Sequence, residues 1–289
     1  MRSLFAATLF LAALAGCGAK HKGTYEVGAA PSTASAPSAL DEANALWEKR
    51  SDKAQLEAAI VQYEAAFAAD PTNRVIGAQV VRGYYFLGDA HETDKDKKLA
   101  VWDKAITAGK RCIAINAEFT AMLEKGDEDE ATAAKVLTAA DVPCTYWTAT
   151  SLGKWAKLSG LAKTLKNLGT VKAWVARVQE LEPTYFHGAP DRYWGAYYAA
   201  IPSFAGQDLN KSKDHFDKSL ALDPNYFSTK VLMAAEWAVK SQNKAEYERL
   251  LKEVIAADPN IDPSVIPENL AEQAKAKDLL AREAEFFAQ

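Results

Sequence analysis

Glycine and proline are scarce in this 289-residue chain, at 15 and 11 residues. That composition poorly supplies the frequent turns of a β-sandwich, and no stretch alternates apolar and polar residues over a useful length. Histidine (four) and cysteine (three) are also few. Cys17, Cys112 and Cys144 are far apart in sequence, so no paired-thiol zinc or redox motif exists. HExxH, Walker-loop and GxSxG patterns are absent. Neither charge dominates: the formal net charge is -4, and a nucleic-acid surface would need a basic stripe. These absences leave an all-α protein without a recognisable metal, cofactor or catalytic motif. Its 49% hydrophobic content is enough for a sizeable core.

The amino terminus reads as an export signal. Arg2 supplies positive charge, and Leu4 to Leu14 form an apolar stretch too short to span a membrane as a helix. The stretch closes on Leu14-Ala15-Gly16-Cys17, which resembles the lipobox of bacterial lipoproteins. Residues 1–16 are therefore expected to be removed, and Cys17 to carry the lipid that anchors the protein. Gly18 replaces the aspartate that would favour inner-membrane retention in enteric bacteria. The expected location is the periplasm, at the outer membrane. Residues 17–40, rich in Gly, Ala, Ser and Pro, read as a flexible tether. Residues 41–289 read as one helical domain.

Within that domain, Leu56, Ile60, Tyr63 and Phe67 share a helical stripe, as do Leu209, Phe216 and Leu220. Asp70-Pro71, Glu182-Pro183, Asp223-Pro224 and Asp258-Pro259 mark helix ends, because proline cannot continue a helix. Twelve, eight and five residues before these prolines recur Ala59/Tyr63/Ala66, Val171/Val175/Val178, Ser212/Phe216/Ser219 and Tyr247/Leu251/Val254. This face resembles the second helix of a tetratricopeptide (TPR) repeat. The expected architecture is a TPR-like helix-turn-helix superhelix. An amphipathic helix from Glu268 to Phe287 would cap its open end. Cys112 and Cys144 fit either a disulfide in an oxidising compartment or, more simply, two buried thiols on helices.

The repeat is interrupted most visibly at residues 185–206, the densest aromatic segment of the chain. Tyr185, Phe186, His187, Arg192, Tyr193, Trp194, Tyr197, Tyr198 and Phe204 are candidates for lining a ligand or partner site, although core packing explains the aromatics equally well. Trp147 and Trp155 form a second candidate group, with Gly153 expected at a close helix contact. His187 and Asp191 lie four apart near a helix start, but no nucleophile completes a catalytic set with them.

Three stretches carry a more specific resemblance. They are Asp141-Val142-Pro143-Cys144-Thr145-Tyr146-Trp147 leading to Leu152-Gly153-Lys154-Trp155; His187-Gly188-Ala189-Pro190 leading to Tyr197-Tyr198 and Ile201-Pro202; and Gly206 to Leu220. Their order and spacing are similar to the T component (TatT) associated with TRAP transporters, with Gly206-Gln207 where that family has a glycine pair. The resemblance implies a periplasmic, lipid-anchored helical protein that associates with a solute-binding P subunit. It further implies an apolar pore passing a hydrophobic or organic-acid ligand, and assembly as a homotrimer. Two other readings stand beside it: a generic TPR scaffold in the cell envelope, and an envelope hydrolase using His187 and Asp191.

Overall fold

The structure is a computed structural model that describes residues 25–27, 36–125 and 129–287. The expected export signal and Cys17 lie outside the described residues. Helices fill the rest: α1 (Ala36–Trp47), α2 (Lys53–Ala69), α3 (Arg74–Phe86), α4 (Lys95–Ile113), α5 (Ala117–Glu124), α6 (Glu130–Ala133), α7 (Val142–Ser159), α8 (Leu161–Leu181), α9 (Tyr185–Ala200), α10 (Leu209–Leu222), α11 (Phe227–Leu232), α12 (Lys244–Ala256) and α13 (Ile266–Ala281). Single π-helical turns extend α3 through Leu87–His91 and α11 through Met233–Ala238. No strand occurs among the described residues.

The helix boundaries follow local chemistry. Asp52, Asn73, Asp94, Asn116, Asp129, Asp208 and Asn243 each accept a hydrogen bond from a backbone N–H of the first turn they precede. Such caps contribute about 1 kcal/mol apiece. Helices α2, α8 and α10 each stop two residues before their proline. The twelve recurring positions counted back from the prolines are all at most 3% exposed. The periodicity therefore marks the buried face of α2, α8, α10 and α12.

Close helix approach falls at glycines other than Gly153. A Cβ there would meet Val171 at 3.8 Å, an ordinary contact. Five described glycines are tight: Gly77 against Cys112, Gly83 against Ile60, Gly88 against Trp102, Gly109, where a Cβ would overlap Thr148, and Gly195, where it would come within 2.7 Å of the Phe216 ring. Gly109 joins α4 to α7, and Gly195 joins α9 to α10.

Cys112 of α4 and Cys144 of α7 form a disulfide, with Cα atoms 5.7 Å apart. The thiol reading is corrected: the close α4–α7 approach that Gly109 permits brings the two cysteines together. Nearby, the fully buried Asp141 accepts from Arg74 Nε, Asn116 Nδ2, and Thr138 N and Oγ1. That carboxylate fixes the start of α7 against α3 and α5.

The terminal helix is shorter than expected. It ends at Ala281, and its buried face carries Glu268, Asn269 and Glu272 among the apolar residues. Glu268 receives Arg50 through Nε and Nη2 and Arg82 through Nη2, at 2.8–3.2 Å. Arg50 Nη2 also donates to the Ser264 carbonyl. The last helix packs on α11 and α12 and also reaches back to Arg50 and Arg82. At the other terminus, α1 begins at Ala36, inside the segment read as a tether, and Tyr25 is buried against the body.

Candidate functional site

The site begins with a break in α9. Phe186, His187 and Gly188 have φ of 41°, 59° and 70°, three left-handed residues in succession. Regular helix resumes after them, which places Pro190 in its first turn, where the missing N–H costs nothing. Left-handed backbone costs about 1–2 kcal/mol at a residue with a Cβ, so Phe186 and His187 need restraint. Arg192, 5% exposed, donates to both carbonyls, at 2.9 Å to His187 and 3.3 Å to Phe186. His187 Nδ1 pairs with Asp223 Oδ2 at 2.5 Å, and its ring stacks on Tyr226 at 4.7 Å.

This geometry turns Phe186 into the interior. Its ring meets Trp147 at 4.8 Å and Tyr226 at 5.5 Å, and the Arg82 guanidinium lies 4.7 Å from its centre. Tyr185 and Tyr146 pack edge to face beside it, and Tyr146 continues onto Trp147. Below this aromatic group lies a layer of charge. Asp89 pairs with both Lys154 and Lys275, Lys275 also with Glu272, and Glu268 with both Arg50 and Arg82. Five cationic side chains, Arg192 included, therefore stand in or beside a chamber holding three carboxylates. Arg192 has no ion pair among the described residues.

The charge layer perturbs its own members. Burial pushes the Asp89 carboxyl up, but Lys154 and Lys275 outweigh it and hold the group well below the usual carboxylate range. Burial would lower the Lys275 ammonium, yet Asp89 and Glu272 raise it. Burial pushes the Tyr226 phenol up despite Arg192. Asp89 thus stays ionised, Lys275 charged and Tyr226 neutral at neutral pH.

The open space behind Phe186 is small. Arg82, Tyr85, Asp89, Trp147, Tyr226 and Glu272 line a cavity of about 20 Å³. A water needs roughly 10–15 Å³ on this measure, so an alkyl chain has no room there. An apolar hollow beside the aromatic segment is not what the structure shows at this point: Phe186 and Arg82 fill the centre.

The expected site residues therefore divide. Trp147, Tyr185, Phe186, His187 and Arg192 converge. Tyr193, Trp194, Tyr197 and Tyr198 form a separate ladder along α9, ending on His215, whose ring stacks on Tyr198. Trp155 lies near Lys163 of α8. Phe204, on a short 3-10 turn, is 77% exposed. The hydrolase pair does not form: His187 partners Asp223, and Asp191 accepts from Gln179 and pairs with His215. The left-handed residues remove the helical i,i+4 relation that would have joined His187 to Asp191. Among the described residues, His187, Asp223 and Asp262 are the one group whose ligand atoms, all within 4.8 Å, are close enough to share a cation.

Arg82, Asp89, Tyr226, Glu268 and Lys275 carried no signal in the sequence. Arg82 and Asp89 come from α3 and its π turn, Tyr226 from the position before α11, and Glu268 and Lys275 from α13; single charges on amphipathic helices look like ordinary solvated positions.

No helix among the described residues is long and apolar enough to cross a membrane. The sequence model of one protein family, the TRAP transporter T-component, matches residues 32–287. No curated protein matches the chain.

Proposed function

The chain belongs to the TRAP transporter T-component family, and from that membership we propose that it docks the solute-binding P subunit and passes an organic-acid ligand by way of the chamber behind Phe186. The protein serves this role from the periplasm, held at the outer membrane by lipid on Cys17. Its helices wind as a TPR-like superhelix, and three copies associate. The Cys112–Cys144 disulfide supports an oxidising compartment.

One observation carries the choice of ligand. The chamber combines aromatic walls with an excess of cations, and its central guanidinium, Arg82, shares its one carboxylate, Glu268, with Arg50. A carboxylate on an apolar body satisfies both features. A wholly apolar cargo would displace water from charged groups and return nothing to them. Entry requires Phe186 and Arg82 to swing aside, because the cavity is about 20 Å³. The exposed Phe204 offers an apolar contact for the P subunit.

Calorimetry with a panel of monocarboxylates and with the cognate P subunit tests this reading. Arg82→Ala is expected to weaken carboxylate binding about tenfold or more, from loss of a charge-assisted contact of roughly 1.5–3 kcal/mol. Equal affinity in wild type and variant would sink the ligand assignment. The cavity volume favours one competing reading, an adaptor that binds the P subunit but no cargo. In that case the P subunit binds wild type and Arg82→Ala alike, and no carboxylate binds either.

A further inference from the structure

Tyr25 is an unexpected member of the core. It lies eight residues after Cys17 and 15 before Leu40, in a stretch whose composition gives no reason for burial. Yet it is 7% exposed. Its ring packs against Phe119 of α5 at 5.5 Å, and Lys110 of α4 lies 5.1 Å from its centre. Its hydroxyl donates to Glu130 Oε1 of α6 at 2.5 Å, and Lys110 Nζ donates to the same oxygen at 2.9 Å. Three successive helices thus each supply one wall of a receptor for this single side chain.

We propose that Tyr25 is a latch that shortens the membrane leash and holds the α4–α6 face toward the lipid surface. The proposal rests on the lipoprotein reading of Cys17. A chain from Cys17 to Ala36, where α1 begins, can extend about 65 Å and has a root-mean-square span of roughly 22–26 Å. Pinned at Tyr25, the leash is eight residues long. It then extends at most about 29 Å, with a typical span near 15 Å. The change is one of orientation as well as distance. A leash leaving at α1 lets the body tumble beneath the bilayer, whereas one leaving between α4 and α6 turns that face to the headgroups. The opposite side is then presented outward to a soluble partner.

The test uses the full-length acylated protein on phosphatidylethanolamine–phosphatidylglycerol vesicles and supported bilayers. Chymotrypsin reports the latch, since Tyr25 is a cleavage site only when undocked. Glu130→Ala is expected to speed cleavage after Tyr25 about tenfold or more. Neutron reflectometry reports the leash: Tyr25→Ala, which leaves the helices untouched, is expected to move the body outward by roughly 10 Å. Equal cleavage rates in wild type and Glu130→Ala, or an unchanged height in Tyr25→Ala, would overturn the proposal. Mass spectrometry of the extracted protein separates the two failures. Absence of acyl groups on Cys17 ends the membrane role while leaving the Tyr25 contact intact, and an acylated protein with freely cut Tyr25 ends the latch alone.

Discussion

Phe186 and His187 hold left-handed backbone that β-carbon-bearing residues avoid, and the surrounding side chains are spent on keeping them there. Sites that retain such conformations commonly use them, and here the result is a phenyl ring driven between Trp147 and Tyr226. The glycines give the simplest checks at this scale. Gly195→Ala is expected to destabilise by about 1–3 kcal/mol, because the new methyl would meet the Phe216 ring at 2.7 Å. Gly153→Ala should instead be neutral or stabilising by up to about 1 kcal/mol, since helix propensity improves and its neighbours stay at 3.8 Å. Thermal melts of the two variants, moving in opposite directions, check the assignment. Asp89 makes a pH prediction. Its folded-state pKa is lowered, so the unfolded chain takes up the proton first as the solution is acidified. The stabilisation is complete at neutral pH and drains away as pH falls below about 4. Urea midpoints of wild type and Asp89→Asn should therefore differ at pH 7 and converge toward pH 2.

Among the helices, α13 is held by polar contacts more than by oil. Glu268 is 6% exposed and answers two guanidiniums. Glu268→Ala leaves Arg50 and Arg82 in the interior without their acid, at an expected cost of about 3–5 kcal/mol. Limited proteolysis should then cut first near α13, and an unaltered digestion pattern would refute the role given to this ion pair. The same contrast explains what could be read in advance. Helices α2, α8, α10 and α12 were legible because one residue pattern, a buried face followed by an acidic-proline stop, repeats in all of them. The aromatic candidates of 185–198 were legible as a group, but their division was not. It depends on the left-handed turn at 186–188, and only Gly188 among those three residues hints at one. The charge layer was illegible for a different reason. Asp89 and Lys275 meet across 186 positions of sequence, and no local period encodes such a meeting.

For the whole molecule, the disulfide and the family assignment meet in one expectation. Cys112 and Cys144 are 32 residues apart, and a cross-link of that kind is worth about 2–4 kcal/mol. Urea unfolding with and without a thiol reductant should show a loss of that size. An unchanged midpoint would mean the bond is not formed in solution. Membership of the T-component family sets the setting in which these properties matter: an accessory to a TRAP transporter. The disulfide braces α4 against α7. Phe186 of α9 and Arg82 of α3 lie outside that braced pair.

The return of α13 to Arg50 and Arg82 has a temporal side. A helical stack built from neighbouring hairpins can fold piecemeal as it emerges from a translocon. This one cannot finish that way. Contacts spanning 218 and 186 positions wait until the final two dozen residues are delivered, and until then several buried charges lack their counter-ions. A chain stopped short at its carboxyl end would lose more than a helix, and quality-control proteases would meet an unfinished molecule whose earliest helices are as vulnerable as its last.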